Sequence, residues 1–233
     1  MLNIAGTDGC RAGWLCLIED LETRRVGSKI FPTFAELAEA LAVNVIAIDI
    51  PIGLTDSGPR ACDQEARKLL GPKRGASVFP APIRALLKAG DYATTNALSR
   101  RLHQKGVSAQ AHAIYRKVAE IDDAMRARPE LRDRVIEVHP EVTFAHWNGS
   151  AIVESKKTKE GRAIRRALID RHFGDDVFES VRNRYKRSEA KDDDILDAFA
   201  ALRTAERIVA REAVTIPSPL QRDSAGLPMR IVY

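Results

Sequence analysis

The sequence predicts an α/β fold, with helices layered on a single sheet. Three observations predict it. The N-terminal residues read as short apolar strands separated by turns. A β-branched run over residues 44–51 follows a capped helical segment. Two later segments, 161–173 and 193–211, carry apolar residues at helical spacing.

The elements follow in order. Residues 2–7 form a first strand, residues 8–13 a turn, and residues 14–18 and 24–31 two more strands, together an antiparallel meander. Thr33 is placed to cap a helix, with Glu36 as its capping-box partner and Phe34, Leu37, Ala38 and Leu41 at helical spacing. Residues 44–51 then read as a strand buried on both faces, parallel to its neighbour because a helix precedes it. Residues 53–132 are punctuated by Gly58-Pro59, Gly71-Pro72 and Phe79-Pro80-Ala81-Pro82. Helical patterns lie between them over 60–70, 83–88 and 109–128, which makes this segment a helical insertion over one edge of the sheet. Residues 134–138 are again strand-like, and 214–219 and 229–233 are short extended pieces. The chain 1–233 therefore reads as one domain carrying the insertion 53–132.

Composition narrows the function classes. Hydrophobic residues make up 45% and charged residues 30%, which excludes wholesale disorder. No apolar run reaches the length of a membrane span, and the N-terminus lacks the pattern of a secretory signal. Three cysteines without a CxxC pair argue against a disulfide framework and a thiolate zinc site, so a reducing cytoplasm is the expected compartment. The net charge is +5, and residues 155–191 hold twelve Lys or Arg against six Asp or Glu. That imbalance permits a polyanionic partner.

Carboxylates carry the functional reading. Asp8, Asp49 and Glu137 each fall near the end of a strand of one sheet. Buried carboxylates are costly unless paired or bound to a cation. In the last long helix, Ile195, Phe199, Leu202 and Val209 form one apolar stripe, with Asp194 and Asp197 together on a neighbouring face. Asp192 reads as an N-cap and Asp193 as a dipole-complementing acid. Asp197 lies past the first turn, where neither role applies. Arg11, Arg60, Arg67, Lys73 and Arg84 are candidates for phosphate contact, and Lys156, Lys157 and Lys159 open the basic segment. Among five histidines, only His139 stands beside a candidate acid.

The ordered set Gly6-Thr7-Asp8-Gly9, Ala47-Ile48-Asp49-Ile50-Pro51, Glu137-Val138-His139-Pro140-Glu141 and Asp194-Ile195-Leu196-Asp197-Ala198 resembles the ribonuclease H-like superfamily. Within it, the chain is most similar to domain-of-unknown-function family 429, a predicted nuclease family. Gly58-Pro59-Arg60-Ala61-Cys62-Asp63, Ser77-Val78-Phe79-Pro80-Ala81-Pro82 and Lys156-Lys157-Thr158-Lys159-Glu160-Gly161-Arg162 extend the likeness over nearly the whole chain.

The resemblance implies a central five-stranded mixed sheet flanked by helices, with carboxylates gathered around Mg²⁺ or Mn²⁺. It implies Asp8 and Asp49 as metal ligands and Asp194 or Asp197 as the helical one, with Glu137 a further candidate member of the catalytic set. The chemistry expected of such a set is metal-assisted hydrolysis of a nucleic-acid phosphodiester, DNA or RNA. A non-catalytic nucleic-acid-binding module of the same fold is the alternative, with an actin-like phosphotransferase behind it. The sequence leaves oligomeric state open, a homodimer included.

Overall fold

A computed structural model describes residues 3–233; the predicted start of the first strand at Leu2 lies outside the described residues. Strands β1 (Asn3–Cys10), β2 (Gly13–Asp20) and β3 (Arg25–Phe31) form an antiparallel meander. Helix α1 (Phe34–Ala40) leads into β4 (Val45–Ile48), which pairs parallel to β1. The long segment that follows contains α2 (Ala61–Arg74), α3 (Tyr92–His103), α4 (Ala109–Ala113), α5 (Tyr115–Ala127) and α6 (Leu131–Arg134). Strand β5 (Val135–Glu137) then pairs parallel to β4. Helices α7 (Pro140–Asn148), α8 (Lys159–Phe173), α9 (Val177–Arg182) and α10 (Asp192–Val209) precede a hairpin of β6 (Thr215–Arg222) and β7 (Pro228–Val232). The architecture is α/β, with a five-stranded mixed sheet in the order β3-β2-β1-β4-β5. This agrees with the arrangement that the ribonuclease H-like resemblance implies. Among the described residues, no helix is long and apolar enough to cross a membrane.

Period-2 alternation sorts the sheet's side chains between two cores. Ile4, Leu15, Leu17, Val45, Ala47 and Ile136 face a core built with α10 and its neighbours. Ala5, Trp14, Cys16, Ile46, Ile48 and Val135 face a second core, with Phe34 and Leu37 from α1 and Val118, Ile121 and Met125 from α5. The expected insertion therefore does more than cover an edge: its α5 packs on a face of the sheet. Thr33 caps α1 as its sequence indicates, accepting from the Glu36 N–H at 3.2 Å. The expected turn at 8–13 is tighter, because Asp8 and Gly9 pair with Leu15 and Trp14 and only Arg11 and Ala12 are left to reverse the chain.

Helix α10 crosses the sheet very closely, and Gly6 is the reason. A Cβ built there would stand 2.1 Å from the Leu202 amide nitrogen and 2.4 Å from the Ala198 carbonyl oxygen. Only glycine admits that approach. Ile195, Phe199 and Leu202 are fully buried against the sheet, so the apolar stripe sets the helix's rotation.

Candidate active site

The same alternation aims the acids. Asp8 lies two residues beyond Gly6 on β1 and so points to the α10 side. Asp49 follows Ile48, which faces the other core, and its N–H continues the parallel pairing by donating to the Thr7 carbonyl at 3.0 Å. Its side chain therefore also turns toward α10. Asp197 lies one residue before Ala198, the residue whose carbonyl touches Gly6, so the close crossing brings it to Asp8 and Asp49.

The three acids feel one another. Burial first, and then the charges of Asp197, Asp49 and Asp194, push the Asp8 carboxyl well above its ordinary range. Burial and Asp197 do the same to Asp49. Asp197 is pushed up to about 6, chiefly by burial, with Lys156 pulling the other way. At neutral pH Asp197 is thus ionised and hydrogen-bonded to the Lys156 ammonium. Burial lowers the Lys156 pKa, but Asp197, Asp8 and Asp49 outweigh it and raise the net value. Lys156 is therefore the counter-charge of the whole cluster. Asp194 differs: its Oδ2 accepts from the Lys191 N–H at 2.8 Å, which makes it partly a helix cap.

Asp8, Asp49, Lys156 and Lys157 line one cleft of about 370 Å³. Among the described residues, no three His, Cys or acidic side chains stand in ready-made metal-coordinating geometry. The donors nevertheless suit a hard cation. They are carboxylate oxygens, they repel one another, and Asp197 Oδ1 is buried without a hydrogen-bond partner. A divalent ion would take over the charge now supplied by Lys156.

The family model described as "Protein of unknown function (DUF429)" matches residues 6–222. The chain belongs to the DUF429 family. No curated protein and no solved structure matches it.

Membership in DUF429 assigns no activity, so the remaining expected site residues are judged by their surroundings. Glu137 lines the same cleft and its charge raises the Asp49 pKa, but its carboxylate is held by Arg60. Its neighbours Ile136 and Val138 face the α10 core, and alternation sends Glu137 to the opposite side. There Arg60 Nη1 and Nη2 donate to both its oxygens, at 2.7 and 2.6 Å, and the Ile52 N–H donates at 2.7 Å. Arg60 also lines the cleft, with its guanidinium committed to partners within the protein. It is 2% exposed, and its donors all engage Glu137, Asp63 and the carbonyls of Ile52 and Gly53. Arg84 is held by Asp122 and Asp223. Arg67 is committed to the Val78 carbonyl. Arg11 sits exposed on the β1–β2 turn and Lys73 exposed near the end of α2, and neither lines the cleft. Lys156, expected at phosphate, is instead paired with Asp197. Lys157 is exposed at the cleft.

Three more residues line the cleft: His139, which the sequence placed beside a candidate acid, and Lys117 and Phe79, which sequence reasoning missed. His139 lines the cleft and is kept neutral by burial, its pKa pushed down to about 4. Lys117 reaches it from α5, its ammonium 4.3 Å from the Trp14 ring centre and its stem over Gly9. The glycine at position 9 was the available signal, since it leaves the space that the lysine stem fills. Phe79, from the loop after α2, also lines the cleft while remaining 51% exposed.

Proposed function

We propose that this site binds Mg²⁺ or Mn²⁺ through Asp8, Asp49 and Asp197 and hydrolyses phosphodiester bonds of nucleic acid. One observation carries the reading: three mutually repelling carboxylates, Asp8 and Asp197 buried and Asp49 half-buried, meet at a cleft, and the lysine paired with them is Lys156. Fold stability alone gives no reason to assemble them, because buried like charges cost free energy. Divalent metal bound to these oxygens supplies an activated water and charge stabilisation at the phosphoryl group.

The chain's own residues do the rest. Asp8 and Asp49 come from adjacent strands, so the sheet's hydrogen bonds fix their relative position. Asp197 is held by the buried stripe of α10. Asp194 stands one turn earlier and contributes negative charge while capping the helix. Lys156, which neutralises Asp197, would be free to contact a phosphate oxygen if a divalent ion held that carboxylate. Lys157, already exposed at the cleft, offsets the repulsion between the acids and a polyanion.

The test is metal binding followed by cleavage. Mn²⁺ should bind the wild-type chain in calorimetry, and labelled DNA or RNA should be cut only in its presence. Asp8→Asn and Asp49→Asn should each abolish both while leaving the circular-dichroism spectrum unchanged. Absence of metal binding in the wild type would leave a non-catalytic fold and sink the proposal.

A further inference from the structure

Part of the cleft's lining is apolar and aromatic. Phe79 is 51% exposed, although it belongs to the same cleft as Asp8, Asp49 and Lys157. An exposed aromatic by itself is ordinary on a protein surface. This one is held in a fixed posture. The residue before it, Val78, is buried, and its carbonyl accepts from Arg67 Nε at 3.0 Å and Nη2 at 2.7 Å. Beyond it, the Ala81 N–H donates to Asp63 Oδ2 at 3.3 Å. Pro80 follows directly and restricts the Phe79 backbone to extended conformations. The loop is thus tied on both sides of Phe79, so little conformational freedom is left to lose when a ligand covers the ring.

The dimensions narrow the ligand. A cleft of about 370 Å³ is near the lower end of small-molecule sites and suits one splayed base with its phosphate. In a duplex the faces of each base are covered by its neighbours. In a single strand they are available to an aromatic side chain, whatever the base. We propose that Phe79 is a stacking platform for a nucleobase beside the acidic cluster, so that this site takes single-stranded nucleic acid in preference to a duplex. The inference rests on the reading of the site as a nucleic-acid hydrolase and specifies its substrate class.

The experiment measures binding without cleavage. Fluorescence anisotropy in EDTA compares three labelled probes: a twelve-nucleotide oligo-dT, an abasic oligomer of the same length, and a blunt duplex. Wild type should bind oligo-dT about tenfold or more tightly than the abasic strand, the size expected of one stacked base. It should also prefer oligo-dT to the duplex. Phe79→Ala should erase the preference for bases while leaving affinity for the abasic strand and the melting temperature unchanged. Phe79→Tyr should restore it. If wild type binds none of the three probes, the nucleic-acid reading itself falls and takes this inference with it. If wild type binds oligo-dT but Phe79→Ala keeps the full preference over the abasic strand, the platform is refuted while the hydrolase reading stands. A wild type that favours the duplex refutes the substrate class.

Discussion

Replacing Gly6 with alanine tests how the sheet and α10 build the site. The added Cβ would meet the Leu202 amide nitrogen at 2.1 Å, the Ala198 carbonyl oxygen at 2.4 Å and the Leu202 Cα at 2.5 Å. All three are backbone atoms, so no side-chain rotation relieves the contact. Ordinary van der Waals contact begins near 3.4 Å, and α10 must therefore retreat by roughly 1 Å. That opens a core in which Ile195, Phe199 and Leu202 are fully buried. Overpacking of this kind costs about 3 kcal/mol. The control is Gly27→Ala on β3, where the same change would meet only the Ile18 carbonyl at 3.9 Å. There the substitution should be neutral or stabilise by about 0.5 kcal/mol, through lost freedom of the unfolded chain. Urea unfolding at constant slope reads both variants. The displaced helix carries Asp197, so Gly6→Ala should also weaken Mn²⁺ binding, whereas Gly27→Ala should not. A Gly6→Ala variant as stable as Gly27→Ala would refute the argument that this glycine sets the helix's approach.

Three further expectations follow from the charges. Asp197 has a folded pKa near 6 against 3.8 as its reference, so its contribution to stability is complete below about pH 4 and is lost as pH rises through 6. Asp8 is raised in the same direction, so Asp8→Asn should stabilise the metal-free protein most at pH 8 and progressively less toward pH 5, as thermal melts across that range would show. Lys156→Met removes the cation that competes for the cluster and should tighten Mn²⁺ binding by about tenfold in calorimetry; weaker binding would mean that Lys156 organises the acids rather than competing for them. Glu137→Gln leaves the buried Arg60 guanidinium with Asp63 as its only charged partner and should cost about 3 kcal/mol in urea unfolding, the opposite sign from Asp8→Asn.

Much of this protein follows from local rules that act along the chain. The Thr33–Glu36 cap, the β-branched run that becomes β4, and the stripe Ile195, Phe199, Leu202 are legible because capping and periodicity depend on near neighbours. Those rules also placed acids at Asp8, Asp49 and Asp197. They failed where local cues were weak: the sequence reading passed over helices α3, α6, α7 and α9. The side on which each acid ended up was decided elsewhere. Glu137 reads like Asp49, an acid at the end of an apolar strand, yet a register that sets Ile136 toward α10 turns it the other way and onto Arg60. Arg60 resembles a phosphate ligand until a glutamate 77 positions away occupies it. Lys156 and Asp197 are 41 positions apart, and nothing near either one announces the pair. Such partners are chosen by topology, because the free energy of a buried charge depends on what the folded chain brings within a few ångströms of it. The sequence by itself determined which elements form and which residues can carry charge into the sheet. Only the tertiary structure decided which of those charges meet one another and which are already neutralised.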